Sequence, residues 1–234
     1  MTEARFCQTH WTLVLNARSP DAHQALEQLC RIYCPPLYSF LRKSGCSKED
    51  SEDFVQGFFA QLLQKDRLHR VDPAKGKFRS FLLVGVKHHL RDQWDKNRSE
   101  KRGGGGMPMP LPEETSALPP DTAEDPSEVY DRQWALTLIS EVLRRLREKC
   151  ATEGKQQLMD ALQPYLLGEA ERGDYSSTAS RLQMSEGAVR IAAHRLRTDF
   201  QALLHEEVAR TVGSPDEIDN EIKDLIRALR PPKR

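Results

Sequence analysis

Residues 174–204 read DYSSTASRLQMSEGAVRIAAHRLRTDFQALL, and the apolar pattern inside them changes once. Ala179 and Leu182 recur at a helical step, and Met184-Ser185-Glu186-Gly187 breaks that period. Val189, Ala192, Ala193, Leu196, Phe200 and Leu204 then continue at three- and four-residue steps. The spacing predicts a short helix, a turn and a longer helix, with the Ser185 hydroxyl capping the second. The opposite face of that second helix carries Glu186 near its start, then Arg190, His194, Arg195 and Arg197. These side chains suit the phosphates and base edges of a DNA major groove. Small Ala179 allows the two helices to cross closely. The same residues also suit an ordinary helical hairpin with a solvated basic face, so the rest of the chain has to decide.

At 234 residues with 38% apolar side chains, the chain fits one large or two small helical domains. Its 35 basic and 35 acidic residues cancel, so net charge says nothing about partners, but their distribution does. Residues 65–102 hold twelve Lys or Arg against five Asp or Glu, whereas residues 103–131 hold seven acids and no base. Five cysteines without a regular framework fit a reducing compartment, and neither a membrane span nor a signal pattern is present, so a soluble cytoplasmic protein is expected. Cys30 and Cys34 stand one helical turn apart near His23, but a zinc site wants two more well-spaced ligands, and no metal is expected.

Outward from the opening stretch, the remaining segments read as helices separated by breaks. Residues 6–17 are apolar enough to order, with Trp11 and Leu15 expected to pack on the segment after them. Ala22, Ala25, Leu26, Leu29, Cys30 and Tyr33 form one stripe that Pro35-Pro36 interrupts before Leu37, Phe40 and Leu41 resume it, which predicts a kinked helix or two short ones. Ser47 three residues before Asp50 opens the next helix, whose apolar stripe is Phe54, Val55, Phe58, Phe59, Leu62 and Leu63. Within it Gly57 leaves bare backbone at the surface. A basic Pro/Gly loop at residues 70–77 leads into a helix over residues 78–98. Phe78, Phe81, Leu82, Val86, Leu90 and Trp94 are predicted inward there, with Lys87, His88, Arg91, Asp92, Asp95 and Arg98 outward. Basic side chains interleaved with aromatics can track phosphates and hold unpaired bases, although each aromatic also reads as core.

Four glycines, six prolines and seven acids make residues 103–131 a linker. No strand precedes the glycines and no helix follows them, which excludes a phosphate-cradling loop. A second helical unit opens near Pro126 with Ala135, Leu138, Ile139, Val142, Leu143 and Leu146 on one face, followed by Leu158, Met159, Leu162, Tyr165 and Leu166. Past His205, Ser214-Pro215-Asp216-Glu217 reads as a capped helix start, and Ile218, Ile222, Leu225, Ile226 and Leu229 give the last helix an apolar face that must dock on this protein or another.

Two sets of motifs then coincide with a known family. Tyr33-Cys34-Pro35-Pro36-Leu37-Tyr38, Glu52-Asp53-Phe54-Val55-Gln56-Gly57-Phe58-Phe59, Asp72-Pro73 with Gly76-Lys77-Phe78-Arg79-Ser80-Phe81-Leu82, and Asp92 form the first. Tyr175, Ala179, Leu182, Met184, Ser185, Glu186, Gly187, Val189, His194, Arg195 and Arg197 form the second. Together they resemble the extracytoplasmic-function sigma factors of bacterial RNA polymerase, of the long-linker type with a C-terminal extension. The resemblance implies an all-α protein with two small helical domains joined by a flexible linker, the second containing a helix-turn-helix. Residues 1–98 would bind core polymerase and the minus-ten element. Residues 99–128 would be the linker, lying through the RNA exit path, residues 129–205 the helix-turn-helix domain, and residues 206–234 the extension.

The resemblance also assigns roles. Asp53, Gln56, Phe58 and Phe59 lie on the helix that would grip the polymerase clamp. The loop from Asp72 through Lys75 to Lys77 would capture a flipped base, with Arg79 beside it and Lys87, His88, Arg91 and Asp92 along the minus-ten element. Ser185, Glu186, Arg190, His194, Arg195 and Arg197 would face the minus-thirty-five duplex. Departures from the family pattern fall at Gly57, Ser177-Thr178, Gln183 and Ile191-Ala192, so the promoter sequence stays open. Core polymerase and promoter DNA are the partners implied, with an anti-sigma factor or a regulatory kinase as candidate controllers. No catalytic constellation and no cofactor are expected. Two readings compete: a free-standing dimeric helix-turn-helix repressor or activator, and a helical adaptor that binds no DNA.

Overall fold

The structure, a computed structural model, describes residues 22–64, 77–101, 124–166 and 175–230. Among the described residues all regular secondary structure is helical, as expected. The chain divides into two compact units. The first comprises Met1–Thr137 with Ala209–Arg234, and the second Leu138–Val208. The expected N-terminal packing of Trp11 and Leu15, and most of the linker, lie outside the described residues.

In the first unit, α1 (Ala22–Lys43) packs against α2 (Lys48–Gln64) and α3 (Phe78–Lys101). Leu29, Ile32, Tyr33, Leu37, Phe40 and Leu41 make the buried side of α1. Of the two forms the sequence allows, a kinked helix or two short ones, the structure has a single helix: α1 runs through both Pro35 and Pro36. Each proline removes a backbone donor, yet Leu37 and Leu41 directly after them are fully buried, so tertiary packing overrides the local cost. The helix ends where Gly45 takes φ +93°, with Gly45 N–H donating to Arg42 O and Cys46 N–H to Leu41 O. The Asp50 N–H then donates to Ser47 Oγ at 3.0 Å and starts α2 as the sequence predicts.

Phe54, Val55, Phe58, Phe59 and Leu62 bury the apolar face of α2, and Phe78, Leu82, Val86 and Leu90 that of α3. Edge-on ring contacts join the three helices: Tyr33 to Phe78 at 5.1 Å and Phe54 to His89 at 4.7 Å between centroids. Gly85 on α3 lets the Phe58 ring approach so closely that an added Cβ would sit 3.1 Å from it.

Two further segments complete this unit. Asp125 Oδ1 accepts the Ser127 N–H at 2.7 Å and starts α4 (Pro126–Thr152), whose first turns bury Tyr130 and Trp134 completely. After residue 209 the chain passes through buried Thr211, whose carbonyl accepts the Phe78 N–H at 3.2 Å, into a 3₁₀ turn, Pro215–Glu217, and α8 (Ile218–Ala228). The Ser214 hydroxyl makes no capping bond. Instead its carbonyl accepts the Glu217 N–H at 3.1 Å, the three-residue closure of a 3₁₀ turn. Ile218 and Leu225 are buried, which answers what the last apolar face docks on. Residues 129–137 and 209–230, expected in the second domain and a separate extension, therefore belong to the first unit.

In the second unit, Leu143, Leu146 and Cys150 of α4 meet Met159, Leu162 and Tyr165 of α5 (Gln156–Leu166). Ala179 of α6 (Tyr175–Leu182) joins Val189, Ala193 and Leu196 of α7 (Glu186–Ala209) in the same core. Tyr165 and Tyr175 stack at 4.8 Å, and the Tyr165 and Thr178 hydroxyls share a 2.9 Å hydrogen bond. Arg145 adds ion pairs to Glu206 at 2.9 Å and to Glu207 at 3.1 Å.

Candidate nucleic-acid interface

The outer face of α3 is set by its buried one. Because Leu82, Val86 and Leu90 point inward, Lys87, His88, Arg91 and Asp92 are left exposed on the far side, as the spacing predicts. Lys87 Nζ donates to Ser127 Oγ at 3.0 Å and lies 5.8 Å from the Phe40 ring centroid. Asp72 and Lys75, the expected base-capturing loop, lie outside the described residues.

Lys77 and Arg79, at the start of the same helix, do not present free cations. Arg79 is 8% exposed, with its guanidinium 4.7 Å above the Trp134 ring. Its Nε donates to Glu221 Oε1 at 2.7 Å and its Nη2 to Glu221 Oε2 at 3.3 Å, a two-pronged contact; Nη2 also reaches Asp224 and Nη1 reaches Asp131. Lys77 pairs with Glu221 at 2.6 Å and with Asp224. The Arg79 carbonyl accepts the buried Tyr130 hydroxyl at 2.9 Å.

Desolvation works against charge on Arg79, but the carboxylates of Glu221 and Asp131 outweigh it and hold the guanidinium protonated well above its ordinary range. Burial likewise opposes the Lys77 ammonium, and its bonds to Asp224 and Glu221 raise it nonetheless. Asp224 shows the reciprocal effect: burial alone would push its carboxyl up, and the Lys77 contact brings it below the usual carboxylate range. Burial prevails at Asp131, whose carboxyl is raised despite Arg79.

The expectation that Arg79 faces DNA is therefore not met in this structure, because acids from two distant segments enclose it. Sequence reading missed Tyr130, Asp131, Trp134, Glu221 and Asp224. One signal was available: Glu221 falls on the apolar face of α8, three residues from Ile218 and four from Leu225.

On α2, Asp53 and Gln56 are exposed, whereas Phe58 and Phe59 are buried and their rings meet at 5.8 Å. The two phenylalanines hold the helix in place from within, and Asp53 and Gln56 are presented outward. Gly57 has open space around it: a Cβ added there meets nothing within 4 Å among the described residues.

In the second unit, α6 and α7 are joined by the turn at residues 183–185. Gln183 takes φ +52°, and its N–H and that of Met184 close back on Ser180 and Ala179. Ser185 Oγ accepts the Ala188 N–H at 3.2 Å, the predicted cap. Glu186, Arg190, His194 and Arg195 are exposed along one side of α7. Arg190 lies 3.6 Å from Glu186 and 5.5 Å from the Tyr175 ring centroid. Arg197, expected among them, turns inward. Its Nε donates to Tyr165 O at 3.2 Å and its Nη2 to the Tyr175 hydroxyl at 3.4 Å, so it ties α7 to α5 and α6.

Among the described residues no cluster of His, Cys, Asp or Glu is placed to hold a metal ion, and no helix is long and apolar enough to cross a membrane. Cys30 and Cys34 are half-buried on α1. No curated protein and no solved structure matches the chain. Residues 29–100, from the second turn of α1 to the end of α3, match the family described as Sigma-70 region 2, and this match supports a sigma factor, a subunit that binds RNA polymerase and takes part in promoter recognition.

Proposed function

We propose that the chain is a promoter-specificity subunit of the extracytoplasmic-function type. It acts in the cytoplasm, joins core RNA polymerase through the first unit, and reads promoter DNA with both units. The observation that carries this reading is the conjunction, in one chain, of a Sigma-70 region 2 segment with a second unit whose paired helices α6 and α7 leave Arg190, His194 and Arg195 exposed on one side. Exposed Lys87, His88, Arg91 and Asp92 on α3 lie along the minus-ten element, and the polar side of α2, with Asp53 and Gln56, meets the polymerase. Ser185, Glu186 and the α7 cations address the minus-thirty-five duplex, where an arginine can contact guanine and a phosphate-facing side chain can fix register. The chain performs no bond chemistry in this role. It contributes binding energy that favours opened DNA. Controlling partners, an anti-sigma factor or a regulatory kinase, belong to the same proposal.

Co-purification with core polymerase followed by run-off transcription from genomic fragments tests the reading. The expected result is a stable complex with initiation at a defined set of sites. A chain that binds duplex DNA unaided as a dimer and ignores polymerase would instead be a free-standing regulator.

A further inference from the structure

Lys77, the residue before α3, and Arg79, in its first turn, both fall inside the Sigma-70 region 2 segment. The carboxylates that hold them all come from outside it: Asp131 from α4, and Glu221 and Asp224 from α8. Arg227 of α8 itself pairs with Asp224 at 3.0 Å, so the three acids are balanced by three cations, and both cations of the region 2 segment are occupied by carboxylates from outside it. A carboxylate offers the same oxygen geometry to a guanidinium as a phosphate does, and Glu221 fills both prongs of Arg79. A DNA phosphate approaching here meets donors already occupied.

The contact has two tiers. The Arg79 and Glu221 side chains are 10% and 0% exposed and form its floor, whereas Lys77 and Asp224 are 22% and 28% exposed and form its rim. The helix that supplies Glu221 and Asp224 is short. It joins the unit through exposed Gly213 and is seated chiefly by Ile218 and Leu225. We infer that α8 is a removable acidic cover: docked, it occupies Lys77 and Arg79 with carboxylates, and its release hands Lys77 to promoter phosphate. The inference rests on the proposed reading that this end of α3 faces DNA.

The test uses the full chain in complex with core polymerase. For the wild type, amide hydrogen exchange across α8 is compared with and without a promoter duplex. Faster exchange on adding DNA is expected, and unchanged protection overturns the cover.

In parallel, because Arg227 also pairs with Asp224, promoter affinity is measured from 0.05 to 0.2 M salt in an Arg227→Gln background, alone, with Asp224→Asn, and with Asp224→Asn plus Lys77→Gln, with thermal melts recorded on each. Releasing one cation to phosphate should tighten binding by Asp224→Asn and steepen its log–log salt slope by about 1, and the second substitution should cancel both effects. No gain for Asp224→Asn, or a gain that survives Lys77→Gln, overturns the inference. A wild-type chain that does not join polymerase removes the proposed function and the cover with it. One that joins and binds promoter with α8 still protected overturns the cover alone.

Discussion

The guanidinium of Arg79 rests on the carboxylate of Glu221, 142 residues further along the chain, through hydrogen bonds of 2.7 and 3.3 Å. Glu221 is fully buried, so removing it strands a cation in a dry site. Breaking such a pair from one side typically costs about 3–5 kcal/mol. Glu221→Ala should therefore destabilise the first unit by roughly 3 kcal/mol, the low end, because Asp131 and Asp224 still reach Arg79. Trp134 is fully buried in that unit, so urea unfolding followed by tryptophan fluorescence reads the loss. An unchanged midpoint would show that α8 contributes nothing to the stability of the fold.

Two glycines on the packed helices α2 and α3 should respond to alanine with opposite signs. Gly57 meets nothing when a Cβ is added, so Gly57→Ala should gain about 0.5–1 kcal/mol from helix propensity alone. At Gly85 the same Cβ would lie 3.1 Å from the Phe58 ring, which Phe59 and His89 back at 5.8 and 6.3 Å. Overpacking a buried ring costs about 1–3 kcal/mol and outweighs the propensity gain. Urea midpoints moving in the same direction for both variants would contradict this close approach.

The helices, their stripes and the caps at Ser47 and Ser185 were readable because each rests on residues within one or two turns of one another. Pro35-Pro36 left open whether one helix or two lay there, for a related reason. A local rule marks a break there, while the burial that preserves the helix depends on partners far along the chain. The start of α3 was the least legible place. Arg79 in a basic run looks like a phosphate contact, and only the fold brings Glu221 and Asp131 to it. Arg197 is the same error on a smaller scale: within the pattern of α7 it belongs with Arg190 and His194, but the backbone of α5 and the hydroxyl of Tyr175 supply acceptors that draw it inward. Phe58 and Phe59 could be read as core from their spacing, and assigning them to a partner surface set that reading aside.

Gln183 occupies the left-handed position that ends α6, the geometry Gly45 and Gly154 adopt at φ +93° and +69° after α1 and α4. A side chain there costs about 1 kcal/mol that glycine avoids. Gln183→Gly should stabilise the second unit by up to about 0.5 kcal/mol once the added freedom of the unfolded chain is subtracted. Gly154→Ala, in the same kind of turn, should lose about as much. Circular dichroism during thermal unfolding measures both, and a destabilised Gln183→Gly would mean that the glutamine side chain contributes more than its backbone strain costs.

Arg190 and Arg197 stand seven residues apart on α7 and should fail in different ways. Arg190 is exposed, with Glu186 at 3.6 Å and the Tyr175 ring beside it among the described residues, so Arg190→Glu should leave the fold intact while weakening promoter-duplex recognition by about 1–3 kcal/mol. Arg197 bonds the Tyr165 carbonyl and the Tyr175 hydroxyl, and Arg197→Ala should instead lower the stability of the second unit by about 1–3 kcal/mol. Where Arg197→Ala still folds, its relative preference among promoter sequences should match the wild type. Measuring affinity across a set of duplexes separates the two: Arg190→Glu should flatten the differences at one position, whereas Arg197→Ala should scale every affinity by one factor. If Arg190→Glu leaves promoter choice as it was, the exposed side of α7 is a solvated face and the reading of duplex DNA must be sought elsewhere in the chain.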